Sequence, residues 1–305
     1  MAASHLLMIR PVRFGYNAET AVNNAFQVHT SSGNAQEMAL QEFDAFVVKL
    51  RQFGVDVTVV NDTPEPHTPD SIFPNNWISF HHDGSVVLYP MYAHNRRQER
   101  KAHVLQAIAD KFVVANSTNL AHYEDEAIFL EGTGSMVLDR QQYLAYACIS
   151  ARTHTTLLET FCTLKGYKAI AFTALDQQGG QIYHTNVMMC VADSYVVICL
   201  ESIADPAERT MVHNTIVQSG KAVVEISLAQ MNAFAGNMLQ VQNDQQQKAL
   251  VMSTQAFEAL KPEQVAQLAA YNPILHSSLL TIETNGGGSA RCMMAEVYLP
   301  LRQPA

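Results

Sequence analysis

The feature that most constrains this sequence is a repeated order of predicted elements, in which a strand and a loop are followed by a β-hairpin and a helix. Turn-forming residues mark hairpin tips near positions 83, 139, 193 and 243, so successive tips are 56, 54 and 50 residues apart. An early turn at Gly33 and Asn34 fits one step before the first tip. Units of fixed period that cannot bury their own apolar faces predict a closed or stacked α/β array. Since no linker-like segment interrupts the repeat, we interpret residues 1–305 as one domain.

Three segments carry local predictions that bear on the rest of the chain. Apolar residues at helical spacing predict a helix over residues 38–53. A second helix, basic and amphipathic, is predicted over about residues 96–111. Residues 279–284, rich in Leu, Ile and Thr, predict a short strand that ends just before a glycine-rich stretch.

The composition favours a globular protein that is not built to bind polyanions. The chain of 305 residues is 48% hydrophobic and 15% charged, with a formal net charge of −9 and no run of Lys or Arg typical of nucleic-acid or membrane binding. Its apolar stretches are far shorter than a membrane span, and the N-terminus lacks a signal-peptide pattern. Five cysteines without a Cys-x-x-Cys pair argue against a disulfide framework. We therefore expect a reduced, cytoplasmic protein.

Polar residues recur at one phase of the repeat, just before the first strand of each predicted hairpin. Segments 70–76, 131–134 and 184–186 occupy this position, as does 236–237 in the fourth unit. Equivalent loops in a ring of equivalent units lie at the same end of the ring. These segments are therefore predicted to converge on one mouth, which Cys292 closes from the C-terminal strand.

Cys292 is the candidate nucleophile at this mouth. It follows three consecutive glycines, 286–288, which remove Cβ atoms from the approach to the thiol and let the backbone come close to a ligand. A thiol needs a proton-transfer partner to react, which His184 can supply, and a carboxylate such as Glu131 can orient the histidine or bind a substrate donor. Singly, each of these residues is more often structural. Their common phase favours the functional interpretation.

The other reactive groups form weaker patterns. The pair His81-His82 has no metal-ligand partners at useful spacing, so no metal site is predicted. The chain has no Walker loop, no complete dinucleotide-binding loop and no Gly-x-Ser-x-Gly elbow. The remaining cysteines lie in apolar elements and are predicted to be core residues: Cys148, Cys162, Cys190 and Cys199.

Two basic segments are candidate anion sites. The run over residues 96–101 lies at the start of a predicted helix, where cations interact unfavourably with the helix dipole, so an anionic partner is expected there. Arg152 lies at a strand-to-helix turn, and the planar fork of a guanidinium suits a carboxylate.

Motifs spread over nearly the whole chain resemble those of the guanidine-modifying (pentein) superfamily, which includes arginine deiminases, dimethylarginine dimethylaminohydrolases and amidinotransferases. The matching stretches are residues 70–77, 130–134, 150–153, His184 before a strand, and 286–292. The resemblance implies an α/β fold of the β/α-propeller type with fivefold pseudosymmetry. It implies no metal and no organic cofactor.

The same resemblance implies roles for individual residues. Cys292 is the nucleophile, His184 the general acid/base, and Glu131 a partner of the substrate or of the histidine. Asp70 and Phe73 belong to the motif that lines the substrate site. The substrate α-carboxylate is held by arginine: Arg152 is the first candidate, and the neighbours Arg96 and Arg97 are the second.

Within the superfamily the sequence is most similar to the CtlX-type citrulline utilisation hydrolases, with which it shares residues 14–27 and 73–77. It has Asn75, Asn76 and Asn186 where arginine deiminases carry acidic residues. A carboxylate only accepts hydrogen bonds, whereas an amide also donates, so these amides favour a neutral ureido substrate such as citrulline. A guanidino substrate stays open if the carboxylates of Asp70 and Glu131 suffice to bind a cation.

Two alternatives to a citrulline hydrolase stay open. The first is a deiminase or dimethylaminohydrolase that acts on a guanidine. The second is a non-catalytic, ribosome-binding protein of the same fold, since a fold does not fix a function. The enzymatic interpretations imply an arginine- or citrulline-like amino acid as the partner, without nucleic acid or membrane, and a homodimer stays open.

Overall fold

The computed structural model describes residues 2–28 and 34–303, so Gly33 of the early predicted turn lies outside the described residues. Within these ranges the chain forms the following strands: β1 (His5–Arg10), β2 (Asp56–Asn61), β3 (Ile78–Phe80), β4 (Ser85–Leu88), β5 (Asn116–Asn119), β6 (Val137–Asp139), β7 (Leu144–Cys148), β8 (Lys168–Phe172), β9 (Met189–Val191), β10 (Tyr195–Ile198), β11 (Ala222–Glu225), β12 (Leu239–Gln242), β13 (Lys248–Ser253), β14 (Ile274–Ser277) and β15 (Ala295–Val297). The α-helices are α1 (Ala18–Ala21), α2 (Ala35–Phe53), α3 (His94–Arg97), α4 (Ala102–Lys111), α5 (Gly132–Ser135), α6 (Thr155–Lys165), α7 (Pro206–Gln218), α8 (Leu228–Asn232), α9 (Thr254–Ala259), α10 (Pro262–Ala269) and α11 (Leu280–Gly286).

The strands form five sheets of three strands each, all with the same internal order. In the sheets β3-β4-β5, β6-β7-β8, β9-β10-β11 and β12-β13-β14, the middle strand is antiparallel to the first and parallel to the third. Each antiparallel pair is a hairpin, and a helix crosses over to the parallel strand, as parallel pairing requires. The four predicted hairpins and the α/β repeat are therefore confirmed.

The fifth sheet is assembled from the two ends of the chain. Strand β1 pairs antiparallel with β15 and parallel with β2, so the order β15-β1-β2 matches that of the other sheets. Helix α2 makes the crossover from β1 to β2, as predicted, with its buried residues Phe43, Phe46 and Leu50 on one face. It ends at Gly54 in a left-handed conformation with φ 93°, which glycine adopts without strain.

The predicted basic helix over residues 96–111 is wrong as one continuous helix. The structure has two helices, α3 and α4, separated by residues 98–101. Lys101 is extended and buried, and its ammonium lies 2.6 Å from the Asp62 carboxylate and 2.9 Å from the Thr68 hydroxyl. This buried ion pair fixes the break, which helical periodicity does not reveal.

The predicted strand over residues 279–284 is also wrong, because this segment begins helix α11. The Glu42 carboxylate on α2 accepts hydrogen bonds from the backbone N–H groups of Thr281 and Ile282. A helix N-terminus leaves such N–H groups without partners, and a carboxylate there also interacts favourably with the helix dipole. This contact between distant segments stabilises a helix where local β propensity predicted a strand.

A single helical turn precedes the first strand in four of the sheets. These turns are residues Pro74–Asn76, Gly132–Ser135, Thr185–Val187 and Ala290–Met293. The turn at 132–135 packs against those at 74–76 and 185–187, and the turn at 74–76 packs against that at 290–293. Cys292 therefore lies in a turn that leads into β15, and the loops of equal repeat phase meet at one place.

Within the described residues, no helix combines the length and apolarity needed to cross a lipid bilayer.

Candidate active site

Cys292 is buried in its turn, with 3% of its surface exposed, between two asparagine amides. The Nδ2 atoms of Asn186 and Asn237 lie 3.4 and 3.3 Å from its Sγ and donate hydrogen bonds to it. Asn237 is held in turn, because its Oδ1 accepts a hydrogen bond from the backbone N–H of Arg291 and its Nδ2 also donates to the carbonyl of Asn186. The sulfur therefore faces fixed N–H donors, which suit a thiolate.

Glu131 is completely buried, and its carboxylate contacts a backbone N–H group, a histidine and an arginine. Its Oε1 accepts a hydrogen bond from the backbone N–H of Tyr92, and its Oε2 lies 2.7 Å from His184 Nε2 and 3.5 Å from Arg152 Nη1. Burial by itself would raise the pKa of this carboxyl, but Arg152 and the histidine outweigh it and lower the pKa to about 2. Of the two roles predicted for Glu131, the geometry fits the partner of the histidine.

His184 is neutral in this arrangement. Burial lowers its pKa to about 4, although the neighbouring Glu131 carboxylate acts in the opposite direction. An ionised carboxylate only accepts hydrogen bonds, so the proton lies on Nε2 and leaves Nδ1 as an acceptor. A Cβ atom at Gly134 would lie 2.8 Å from this Nδ1 and 2.2 Å from Asn76 Nδ2, so only glycine leaves room between the two side chains.

Asp70 is buried beside the same turn cluster with one oxygen free. Its Oδ2 accepts hydrogen bonds from Asn17 Nδ2 and Thr20 Oγ1, whereas no described residue is a hydrogen-bond partner of its Oδ1. Arg96 Nε lies 3.9 Å away. Burial raises the pKa of Asp70, and Arg96 offsets only part of this rise.

The two neighbouring asparagines have different surroundings. Asn76 Oδ1 accepts a hydrogen bond from Arg96 Nη1 at 2.9 Å, and its buried Nδ2 has no hydrogen-bond partner among the described residues. Asn75 instead donates from Nδ2 to the Thr133 hydroxyl at 3.4 Å, and that hydroxyl donates to the Asn75 backbone carbonyl.

The predicted arginines separate into two groups. Arg152 is buried over the Tyr183 ring and donates hydrogen bonds to the Thr20 carbonyl and to Asn23 Oδ1. Arg96 is buried as well, next to Asn76. Arg97 lies outside the site: it donates to the Met91 carbonyl and packs near the Phe129 ring. The predicted clamp therefore does not include Arg97.

A small cavity, which we call the reaction cavity, lies between these side chains. Seven of the predicted site residues line it: Asp70, Phe73, Asn76, Arg96, Arg152, His184 and Cys292. Glycines 286–288, Tyr183, Thr20 and Asn24 complete the lining. Its free volume is about 10 Å³, room for about one water molecule, and the segment 17–28, which we call the covering segment, contributes Thr20 and Asn24 to its wall.

The glycine run is used for packing inside the protein. Cβ atoms at Gly286 and Gly288 would lie 2.8 and 3.0 Å from the Phe73 ring. Gly287 has φ 64°, and its carbonyl accepts hydrogen bonds from Asn24 Nδ2 and from the Tyr183 hydroxyl. The groups that approach the glycines closely are a ring and an amide of this chain, so the expected close approach to a ligand stays a prediction.

A comparison with models of protein families assigns this chain to one of them. The model of the family described as N,N dimethylarginine dimethylhydrolase, eukaryotic, matches residues 10–299. The chain belongs to this family. The dimethylarginine dimethylhydrolase family and the structural neighbours below fall in the pentein superfamily, so the superfamily resemblance is confirmed. The finer resemblance to CtlX-type enzymes stays a prediction. No curated protein sequence matches the chain.

Solved structures of other proteins share the fold of this family member. The arginine dihydrolase ArgZ of the ornithine–ammonia cycle in cyanobacteria is 18% identical with a TM-score of 0.75, over 98% of this chain and 41% of ArgZ. The chain thus spans about two fifths of that protein. AgrE, in a complex with L-arginine, is 17% identical with a TM-score of 0.75, over 99% of this chain and 41% of AgrE. A dimethylarginine dimethylaminohydrolase with an S-methyl-L-thiocitrulline adduct is 14% identical with a TM-score of 0.65, over 97% of this chain and 99% of its own. At these identities the likeness shows the fold alone.

The sequence did not predict several residues of the candidate active site. Asn237 was recognised by its repeat phase but not assigned to the site, although its amide contacts Cys292. Thr20, Asn24 and Tyr183 were also not assigned, since a lining contact between distant segments has no local signal. The four other cysteines are buried and free, as predicted. Among the described residues, no group of three or more His, Cys, Asp or Glu is placed to hold a metal ion.

Proposed function

We propose that this protein is a cysteine-dependent hydrolase that cleaves a carbon–nitrogen bond in the ureido group of an arginine-related amino acid, converting citrulline to ornithine. The observation that carries the proposal is that one cavity is lined by the Cys292 thiol, the neutral His184 imidazole and the Asn76 amide. The membership in a family of dimethylarginine hydrolases supports hydrolysis at a carbon of this type. The proposed chemistry uses only side chains of this chain.

The chemistry begins with the thiolate of Cys292. His184 first accepts the thiol proton at Nδ1, and the hydrogen bonds from Asn186 and Asn237 stabilise the charge that this leaves on sulfur. The thiolate Sγ then attacks the ureido carbon. The tetrahedral adduct collapses, the carbon–nitrogen bond to the ornithine side chain breaks, and the protonated His184 gives its proton to the departing amine. An S-carbamoyl enzyme and free ornithine result.

A water molecule completes the reaction. His184 Nδ1 removes a proton from water, the hydroxide attacks the carbon of the S-carbamoyl group, and the carbon–sulfur bond breaks to return the thiolate. The released carbamic acid decomposes to ammonia and carbon dioxide. Glu131 keeps the histidine in one tautomer through both steps, because its carboxylate accepts the Nε2–H.

The remaining charged groups suit the amino-acid end of the substrate. Arg152 supplies a guanidinium in the cavity wall that can bind an α-carboxylate once Asn23 and Thr20 of the covering segment withdraw. Asp70 supplies a free carboxylate oxygen, Oδ1, for an N–H group of the substrate. Phe73 packs on the glycine run and forms an apolar wall.

A guanidino substrate is the second candidate. The family match and the free oxygen of Asp70 favour it, because a buried carboxylate suits the N–H groups of a cation. This candidate predicts citrulline as the product, released with ammonia or dimethylamine. The non-catalytic, ribosome-binding alternative would leave the contacts among Cys292, His184 and Glu131 without a use. The five like sheets further support a closed β/α-propeller and one domain over residues 1–305 as parts of the proposal.

Product analysis by mass spectrometry tests the proposal. The purified protein is incubated separately with citrulline, arginine and dimethylarginine, beside the Cys292→Ala variant and a matched control, Cys162→Ala, which removes a buried thiol that does not line the cavity. Ornithine from citrulline, lost only in Cys292→Ala, supports a ureido hydrolase. Citrulline from either guanidine supports the second candidate. Activity that survives in Cys292→Ala contradicts the covalent mechanism.

A further inference from the structure

We infer that Arg96 is a positioning residue that fixes the amide of Asn76 with its NH₂ group towards the reacting group of the substrate, and that this orientation makes the site prefer a ureido carbonyl over a guanidinium. The inference rests on the proposed function. It assigns the choice of substrate to one atom, Asn76 Nδ2, and the control of that atom to the Arg96 guanidinium.

The orientation of the Asn76 amide follows from its contact with Arg96. A guanidinium carries only donors, whereas an amide has one accepting and one donating end. Arg96 Nη1 lies 2.9 Å from the amide, so the accepting end, Oδ1, must face it. Nδ2 therefore points away from Arg96. The assignment of oxygen and nitrogen in a side-chain amide is often ambiguous, but here the guanidinium donor fixes it.

Arg96 cannot turn to present a different group. Its Nε and Nη2 donate to the two oxygens of Glu99 at 2.8 and 3.0 Å, and Nη2 also donates to the Phe73 carbonyl at 3.2 Å. Arg96 and Glu99 are 2% and 3% exposed. Burial raises the pKa of Glu99 to about 7, although the Arg96 guanidinium beside it acts in the opposite direction. Four of the five guanidinium N–H groups are therefore bonded to protein, which makes the pair a rigid support behind Asn76.

The fixed donor belongs to a side chain that lines the reaction cavity together with His184 and Cys292. Asn76 Nδ2 is buried without a hydrogen-bond partner among the described residues, and it lies beside Gly134 at the position that also brings His184 Nδ1 close. A buried donor without a partner costs free energy, which a ligand that supplies an acceptor recovers. Asn75 shows the contrast, because its Nδ2 is already bonded to Thr133.

The two substrate classes differ at this atom. A ureido group carries a carbonyl oxygen, which accepts the Asn76 N–H and is also the atom that gains negative charge when Cys292 attacks. A guanidinium carries only N–H groups, so it leaves Nδ2 unpaired and places a cation against a donor. Sites built to bond a polar group discriminate strongly against analogues that leave it unpaired.

The test measures binding, so that it does not depend on turnover. Affinities for citrulline and arginine are measured by calorimetry in a Cys292→Ala background, with and without Asn76→Asp. That substitution replaces the NH₂ group with an oxygen and changes little else in shape. We expect the ratio of the two affinities to shift towards arginine by about 100-fold. A ratio that stays within about twofold overturns the inference but leaves the proposed function intact.

A second variant tests Arg96 itself. The paired substitution Arg96→Met and Glu99→Gln removes both charges together, so no buried charge is left alone. The amide of Asn76 can then flip, and the preference for citrulline should fall by about tenfold or more. The matched control is Arg97→Met with Glu124→Gln, a neighbouring pair outside the cavity lining, which should keep the preference. Thermal unfolding checks that each variant is folded.

The outcomes separate the inference from the proposed function. An unchanged preference in a folded Arg96→Met, Glu99→Gln variant overturns the role of Arg96, and if that variant does not fold, the Asn76→Asp result decides. If the Cys292→Ala protein binds neither ligand and the unsubstituted enzyme releases no ornithine, both the inference and the proposed function fail. If ornithine is released while Asn76→Asp leaves the binding ratio unchanged, only the inference fails.

Discussion

His184 Nε2 lies 2.7 Å from Glu131 Oε2, and both side chains are almost completely removed from water. In this pair the pKa of the histidine is lowered to about 4 and that of the carboxyl to about 2. Over the whole neutral range the pair is therefore a neutral imidazole that donates to an ionised carboxylate.

This relationship predicts the acid limb of the pH profile. The neutral imidazole is the active form in the free enzyme, so kcat/KM should stay constant down to about pH 5 and fall as the pH passes through about 4. The pKa of His184 lies below its usual 6.5, so the unfolded state binds more protons than the folded state between pH 6.5 and about 4. The free energy of unfolding should therefore decrease as the pH is lowered across that window. A pH series of kcat/KM, with urea unfolding at each pH, measures both. An acid limb near pH 6.5 would contradict the assignment.

Replacing Glu131 by Gln should reduce kcat by about 10³-fold without loss of the fold, because the carbonyl of the amide can take one hydrogen bond but cannot hold the histidine in a single tautomer. Steady-state kinetics on the variant, with thermal unfolding as the check on folding, gives the answer. An effect confined to KM would instead place Glu131 in contact with substrate.

Gly134→Ala should abolish more than about 99% of activity. The new Cβ would lie 2.2 Å from Asn76 Nδ2 and 2.8 Å from His184 Nδ1, so both reacting-side groups must move, and misplacement by about 1 Å costs on the order of 10²-fold. Gly15→Ala is the control, because nothing lies within 4 Å of its Cβ position. Equal kcat for the two variants would refute the crowding argument.

Asn237→Asp should slow both catalysis and alkylation of Cys292 by iodoacetamide, by about tenfold or more. The substitution keeps the acceptor for the Arg291 N–H but places a carboxylate where an amide donor lies 3.3 Å from Sγ. The rates are measured at a fixed pH, with Asn232→Asp, an exposed asparagine on α8, as the control. Unchanged alkylation would mean that the Asn237 amide does not support the sulfur.

Arg152→Met should destabilise the protein by about 3–5 kcal/mol, since it leaves the buried Glu131 carboxylate without its cation. Arg97→Met should cost about 1 kcal/mol or less, because Arg97 is partly exposed and its ion pair with Glu124 is long, at 3.7 Å. Urea unfolding of the two variants compares them directly. Similar costs would show that the Arg152 contacts contribute nothing special.

Glu42→Ala should destabilise the protein by about 1 kcal/mol, because it removes the acceptor for two backbone N–H groups at the start of α11. The control Glu37→Ala removes an acid from the first turn of α2, where only a helix-dipole contribution is lost. If Glu42→Ala proves as mild as its control, the cap does not explain why residues 280–286 are helical.

The sequence by itself determined the repeat and the location of the chemistry. Turn residues at regular spacing predicted four hairpins, all of which are present, and apolar periodicity predicted helix α2. Loops of equal phase predicted that 70–76, 131–134, 184–186 and Cys292 come together, which they do. These signals are local or periodic, so they can be recognised without knowing which distant residues are in contact.

The tertiary structure alone decided the elements and atoms that depend on contacts between distant residues. Glu42 makes a helix of a β-prone segment, and Lys101 ends a helix because its ammonium pairs with Asp62. The fifth sheet pairs strands from the two ends of the chain, and no turn in the sequence predicts this pairing. The direction of the Asn76 amide is a further example. The sequence gives the residue type, but Arg96, 20 positions later, sets which end of the amide faces its guanidinium, because only folding brings that donor within hydrogen-bond distance.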